Sequence, residues 1–177
     1  MDESLATVDS DPSLRVTVTR SRLALAALAF ALLVAYASLV PLDAHPLGAG
    51  KAWGLVAASW PPAIVSKTDF AANLLLQLPF GFLLTGALWH GRRGRYGAAV
   101  LLATVLAAAL ALAIELAQGM FAARTPSTTD VLAETIGALA GALVWMWLGA
   151  WLATFVDHRW RELGSPALMR LGAYMCV

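Results

Sequence analysis

Amide and ionisable side chains recur at helical spacing in three otherwise apolar segments of the chain. Asp69 and Asn73 lie four residues apart, and Gln77 follows one turn later. Residues three or four positions apart share one face of a helix, so each segment is expected to present a polar face. Carboxyl, amide and guanidinium groups on such faces can bind a charged group or move a proton. The candidate binding residues are Asp69, Asn73, Glu115, Gln118, Arg124, Asp130 and Glu134.

The composition places these polar side chains in a membrane protein. Hydrophobic residues make up 60% of the 177 residues and charged residues 13%, with a mean hydropathy of +0.73, whereas an ordinary globular protein is roughly 45–50% apolar. So few charges cannot cover the surface of a soluble domain. A net charge of +1 gives no basic field for nucleic acid. The single cysteine, Cys176, excludes an internal disulfide, and without a Cys/His cluster neither a metal nor a cofactor is expected.

Four apolar runs are long enough to cross a bilayer, which requires about 20 residues per helix. They cover residues 23–41, 70–89, 96–118 and 129–155. The predicted fold is an all-α membrane protein, with residues 22–155 forming a four-transmembrane-helix bundle. Residues 1–21 are expected to be a disordered cytoplasmic tail, and residues 156–177 a cytoplasmic or interfacial tail. A competing interpretation treats the first run as a signal peptide, because AYA at residues 35–37 fits a small-x-small cleavage site.

The distribution of Lys and Arg predicts the orientation of the four spans, since cytoplasmic segments carry an excess of basic residues. With four spans, one side holds Arg15, Arg20, Arg22, Arg92, Arg93, Arg95, Arg159, Arg161 and Arg170. The other side holds Lys51, Lys67 and Arg124. Both termini are therefore expected in the cytoplasm, and the candidate binding residues in the outer half of the membrane.

The long connection at residues 42–68 is expected on the external side. It contains Trp53 and Trp60, and tryptophan prefers the headgroup level of a bilayer. Two interpretations stay open for this connection: a short helix lying on the outer leaflet, and a re-entrant lid over a site between the helices.

Small residues share the faces of the polar side chains. One stripe of the fourth span holds Asp130, Glu134, Gly137 and Gly141. The spacing of the two glycines lets helix backbones approach closely, so the carboxylates are expected to face neighbouring helices. Pro79 withholds one backbone hydrogen bond in the second span, where a kink or a freed acceptor is expected. The predicted helix-packing residues are Pro79, Gly81, Gly137 and Gly141.

Two interpretations of the polar residues also stay open. Four carboxylates gather with one firmly charged partner, Arg124, so at least one carboxyl group is expected to hold or share a proton. In the first interpretation these residues form a network that holds the helices together. In the second they line a pocket open to the exterior, in which Arg124 grips an anionic group and the acids handle a proton or a cation.

Three segments, taken in order, resemble a known family. YASLVP at residues 36–41 resembles the YxSLxP opening of VanZ-like membrane proteins. Asp69 and Asn73, followed by LPFGFL at residues 78–83, resemble the DxxxNxxxFxPFGFL segment of that family. The order Glu-x-x-Gln, Arg, Asp, Gly, Gly between residues 115 and 141 resembles its ExxQ…R…D…G…G half. The resemblance covers residues 32–145, with one departure: Glu134 stands where the family commonly has asparagine.

The resemblance implies a multi-pass protein of the bacterial plasma membrane, and the founding members of the family are associated with teicoplanin resistance. The leading hypothesis is an outward-facing polar pocket that binds a lipid, a lipid-linked envelope precursor or a lipoglycopeptide. One alternative is a membrane enzyme acting on a lipid-linked substrate, with Glu115 or Asp130 as general base. Another is an accessory subunit that packs on a larger membrane complex. Expected partners are membrane lipids, an amphiphilic ligand at the outer leaflet and a membrane protein or second copy of the chain, but no nucleic acid.

Overall fold

In the computed structural model of the chain, every element within the described residues is an α-helix. The structure describes residues 18–40, 48–89, 95–119 and 126–163. The helices are α1 (Arg20–Leu39), α2 (Ala49–Ala58), α3 (Lys67–Trp89), α4 (Tyr96–Gln118) and α5 (Thr128–Leu163). Four of them contain apolar stretches long enough to cross a membrane, namely α1, α3, α4 and the Thr128–Val156 part of α5. The predicted all-α fold with four spans is confirmed; the orientation of the spans and the nature of the tails stay predictions.

Local hydrogen bonds and backbone conformation fix where the helices begin. The Thr19 hydroxyl caps α1 by accepting a hydrogen bond from Arg22 N at 3.4 Å. At the start of α3, Asp69 N donates to Ser66 Oγ at 3.2 Å. α2 follows Gly48, whose φ of +80° is a conformation that favours glycine. The long connection between the first two spans therefore contains a short helix of its own.

The four long helices meet around small side chains. Ala27, Phe80, Ala107 and Ala138, one from each long helix, form a buried cluster. α4 buries an alanine at every fourth position from Ala99 to Ala111, which lets neighbouring backbones approach closely. In each apolar stretch only 17–33% of the residues are buried. The remaining apolar surface suits contact with lipid.

α3 and α5 pack in parallel, because contacts advance along both helices in the same direction. Gly137 and Gly141 lie against the carbonyl oxygens of Leu74 and Leu78, where a Cβ atom would overlap the oxygen. Gly81 makes the reciprocal contact from α3 against the α5 backbone. Close backbone approach of this kind is available only to residues without a side chain.

By its internal contacts the chain divides into a unit of Thr19–Gly149 and a unit of Met1–Val18 with Ala150–Val177. In the second unit the described residues include the end of α5, where the rings of Trp151 and Phe155 stack with centroids 5.4 Å apart. There the Thr154 hydroxyl donates to the Trp151 carbonyl at 2.8 Å. Residues 1–17 and 164–177, which contain most of the two predicted tails, lie outside the described residues. The candidate site lies within Thr19–Gly149.

Candidate functional site

α3 and α5 both begin at one end of the Thr19–Gly149 unit, which we call the polar end. Their parallel register pairs residues whose numbers differ by 57, namely Asn73 with Asp130 and Gln77 with Glu134. Because side chains four residues apart share one helical face, these pairs form two successive layers. The polar faces that the sequence predicts on the two helices are therefore turned toward each other.

The outer layer contains Asn73 and Asp130, whose side chains lie next to each other. Both residues are partly buried. Asp69, one turn earlier on α3, is exposed and lies within electrostatic range of Asp130. The outer layer is thus partly exposed and lies one turn from the exposed Asp69.

The inner layer contains Gln77 and Glu134, which are only 0% and 4% exposed. Gln77 Nε2 donates to Glu134 Oε2 at 3.4 Å, which is long compared with about 2.7–2.9 Å for a good charge-assisted hydrogen bond. Within the described part of the chain, Gln77 Oε1 has no hydrogen-bond partner. Buried polar atoms without partners are rare, so the inner layer retains unused hydrogen-bonding capacity.

α4 adds a third buried acid to these layers. Glu115 is 2% exposed and lies within electrostatic range of Glu134. Its Oε2 atom accepts a hydrogen bond of 2.7 Å from Ser127 N, immediately before α5. The first N–H groups of a helix lack partners within the helix and attract negative charge. Glu115 therefore ties the end of α4 to the start of α5.

Gln118 makes a contact outside these layers. Gln118 turns toward α1, where its Nε2 atom donates to the Ser38 carbonyl at 3.4 Å. Arg124 lies outside the described residues, so its predicted role stays a prediction. We use the name polar cluster for the side chains that the polar end brings together, which are Asp69, Asn73, Gln77, Glu115, Asp130 and Glu134.

The segment after α2 is attached to the start of α5, a contact that the sequence does not predict. Thr128 N donates to Ser59 Oγ at 2.8 Å, and the Thr128 hydroxyl donates to the Ser59 carbonyl at 2.7 Å. Thr129 Oγ1 donates to the Ala63 carbonyl at 3.1 Å. Ser59 therefore caps a helix that lies 69 residues away along the chain. A serine at the end of a short helix carries no sequence signal for so distant a partner.

The polar cluster ends abruptly on its inner side. α3 continues unbroken through Pro79. Backbone contacts that leave no room for a Cβ atom begin with Gly137 against the Leu74 carbonyl and continue with Gly81 against the Ala138 backbone. These contacts close the space between α3 and α5 on the inner side of the cluster.

The side-chain oxygens of the cluster suit a cation or a hydrogen-bond donor. Its carboxylate and amide oxygens are acceptors, whereas a nucleophile paired with a base is absent from these six residues. Among the described residues no group of three His, Cys, Asp or Glu side chains is placed to hold a metal ion. The arrangement can bind a positively charged or donor-rich group, or hold a proton.

Comparisons with known proteins indicate the family of the chain. Neither the curated proteins nor the solved structures compared with the chain include a match. The family model described as VanZ/LLP1 matches residues 23–149, a range that contains most of α1, all of α3 and α4, α5 as far as Gly149 and the whole polar cluster. The chain belongs to the VanZ/LLP1 family.

Proposed function

We propose that this VanZ/LLP1-family protein resides in the bacterial plasma membrane and binds the headgroup of an amphiphile at the outer leaflet through the polar cluster. A lipid, a lipid-linked envelope precursor or a lipoglycopeptide has the required form, with a polar head and an apolar tail. The observation that carries the proposal is the meeting of the α3 and α5 polar faces at one end of the bundle, next to the exposed Asp69.

The burial gradient supports binding over a purely structural role. Asp69 is exposed, the Asn73–Asp130 layer is partly buried and the Gln77–Glu134 layer is buried. Polar groups that merely join helices would be expected to satisfy one another, because an unpaired buried polar atom costs free energy. An unpartnered Gln77 Oε1 beneath a partly exposed polar layer favours a ligand that supplies the missing hydrogen-bond donor.

The surroundings suit an amphiphile. Lipid-facing surfaces of the spans are apolar, and exposed Trp53 and Trp60 lie on and after α2, next to the polar end. Tryptophan is enriched at the headgroup level of membranes. A ligand with its tail among the lipids can therefore present its head to the polar cluster. Arg124, four residues before α5, is the residue we expect to contact an anionic group of the same ligand.

The excess of basic residues in the segments flanking the other end supports an orientation with the polar end outside. The single cysteine of the chain, Cys176, tests this orientation directly. A membrane-impermeant maleimide should leave the native protein unlabelled in intact cells and label it after permeabilisation. With Cys176→Ser in place, Lys51→Cys should be labelled in intact cells. The reverse pattern would place the polar end in the cytoplasm and contradict the proposal.

Binding itself is tested by native mass spectrometry of the protein released from nanodiscs that contain a total bacterial lipid extract. We expect lipid adducts that weaken in Asp130→Asn and Arg124→Gln. Asp157→Asn, the same substitution further along α5, is the matched control and should keep the adducts. Equal lipid retention in all four proteins would contradict binding through the polar cluster.

Teicoplanin susceptibility of a host cell is a separate readout, because the family association concerns that lipoglycopeptide. Expression of the wild-type chain in a susceptible bacterium should raise the inhibitory concentration of teicoplanin if a lipoglycopeptide is the amphiphile. The Asp130→Asn variant at equal membrane level should not. An unchanged inhibitory concentration with lipid binding intact would assign the pocket to a lipid or envelope precursor.

A further inference from the structure

We propose that the group recognised by the polar cluster is a protonated primary amine, held between the Asn73–Asp130 layer and the Gln77–Glu134 layer. The inference rests on the proposed function and names the chemistry of the ligand head. An amine of this kind is carried by aminophospholipids and by amino-sugar or peptide amphiphiles.

The carboxyl groups of the cluster favour a cation. Asp69 lies within electrostatic range of Asp130, and Asp130 within range of Glu134. No Lys or Arg of the described residues forms an ion pair with Asp69, Asp130 or Glu134. Like charges in a poorly solvated site repel strongly. A positively charged ligand group relieves this repulsion, whereas an anionic group at the same place would increase it.

A second, independent observation calls for a hydrogen-bond donor. Gln77 is completely buried, and its Oε1 atom has no donor among the described residues. The bond from Nε2 to Glu134 holds the amide against the cluster. Because Oε1 belongs to the same small amide group, it stays at the level of the Glu134 carboxyl. The missing partner of Oε1 is therefore expected inside the cluster.

The spacing of the two layers fits an ammonium group. Side chains four residues apart on a helix are about 6 Å apart along its axis. A nitrogen midway between the layers can thus reach oxygens on both sides at about 2.8–3.0 Å. The three N–H donors of a primary ammonium match the Asp130 carboxylate, the Glu134 carboxylate and Gln77 Oε1. A quaternary ammonium has the charge but none of these donors, and a bare divalent metal lacks a suitable set of ligands in the described residues.

The experiment uses the full chain in nanodiscs of equal parts phosphatidylethanolamine, phosphatidylcholine and phosphatidylglycerol, with native mass spectrometry of the retained lipid. Since charge-assisted hydrogen bonds distinguish these headgroups, we expect phosphatidylethanolamine to be enriched about tenfold or more over the other two. Asp130→Asn should remove most of the enrichment, and Asp157→Asn should keep it. Asp69→Asn, at an exposed position, provides a second variant that does not disturb a buried layer and should lower the enrichment about two- to fivefold.

A second arm separates the two sources of amine. Octylamine added to the same nanodiscs should displace the retained lipid, whereas octanol and sodium chloride at equal concentration should not. Displacement by octylamine without phosphatidylethanolamine enrichment also supports an amine site, and assigns it to an amphiphile other than a phospholipid. The amine proposal would be wrong, with amphiphile binding intact, if Asp130→Asn reduced the retention of phosphatidylglycerol or phosphatidylcholine instead, or if octanol or sodium displaced the lipid as well as octylamine does. If no lipid depended on Asp130 for its retention, the proposed function would be wrong, and the amine proposal with it.

Discussion

The α3–α5 interface has two halves that share one register and contain opposite types of residue. Its polar half, at residues 73–77 and 130–134, holds the Asn73–Asp130 and Gln77–Glu134 layers. Its packed half, at residues 78–86 and 137–145, holds Gly81 and Gly141 against backbone and Gly86 beneath the Trp145 ring, and Gly137 brings the same close contact to the Leu74 carbonyl beside the polar half. The Phe82 ring packs edge-on against Trp145 with centroids 4.8 Å apart.

This difference separates the main source of stability from the candidate binding site. In the packed half, close backbone approach and a large buried ring fix the distance between the helices. The polar half can then keep a long 3.4 Å bond and an unpartnered amide oxygen without loosening the pair. We therefore expect substitutions in the packed half to lower stability most, and those in the polar half to lower it less and to weaken the proposed ligand binding.

The largest effect is expected where backbone meets backbone. Combining Gly81→Ala with Gly141→Ala places two methyl groups where each would overlap an α3 or α5 carbonyl. Forcing extra volume into a packed interface costs about 1–3 kcal/mol per site, so the double variant should lose about 3 kcal/mol or more. Thermal unfolding of the purified protein in detergent micelles would measure the loss.

Gly97→Ala is the matched control for this prediction, because a Cβ atom at Gly97 on α4 meets nothing within 4 Å. Alanine is a better helix former than glycine by up to about 1 kcal/mol, so the control should be neutral or slightly stabilising. If the double variant is as stable as this control, the packed half does not fix the helix distance.

A smaller loss is expected from removing one member of the inner polar layer. Gln77→Leu leaves the Glu134 carboxyl buried without its amide donor, which costs about 1–3 kcal/mol. Combining it with Glu134→Leu replaces both partners by apolar groups and should restore most of that loss. Chemical unfolding in mixed micelles yields the coupling free energy. Additive losses in the double variant would show that the two side chains do not interact.

The contact between Ser59 and the start of α5 is expected to contribute about as much as an ordinary helix cap. Ser59→Ala removes the acceptor of Thr128 N, and loss of such a cap costs about 1 kcal/mol. Ser21→Ala, at an exposed position within the first turn of α1, is a control that should cost less. Hydrogen exchange of the Thr128 amide provides the site-specific readout, and unchanged protection in Ser59→Ala would contradict the contact.

Sequence reasoning succeeded where it relied on apolar length and failed where distant segments meet. The four spans follow from uncharged runs, although α3 begins at Lys67 and not at residue 70 because Ser66 caps its first turn. α5 extends to Leu163, beyond its apolar run, since a helix does not stop where hydrophobicity falls. The spacing of Asp69, Asn73 and Asp130 predicted shared faces. The spacing of Gly137 and Gly141 predicted a close approach to another helix. It did not predict which residues of α3 they meet, because one sequence does not show which positions of two distant segments lie side by side.

Gln118 illustrates the same limit inside the candidate site. Its spacing from Glu115 places both on one side of α4, yet Gln118 contacts α1 and Glu115 contacts the start of α5. Three residues along a helix correspond to about 300° of rotation at 3.6 residues per turn, so the two side chains diverge by about 60°. That divergence is enough to bring them to different neighbours in a bundle of closely packed helices.

The smallest effect, and one of opposite sign, is expected in the packed half at Thr85. Its hydroxyl is fully buried and has no partner within the described residues, so Thr85→Val removes an unsatisfied polar atom while keeping the shape. We expect a gain of up to about 1 kcal/mol in the free energy of unfolding. Thr104→Val is the matched control, because the Thr104 hydroxyl donates to the Val100 carbonyl at 2.9 Å, and it should be neutral or slightly destabilising. A loss of stability in Thr85→Val would mean that the packed half also depends on a polar contact. The proposed difference between the packed half and the polar half of the α3–α5 interface would then be wrong.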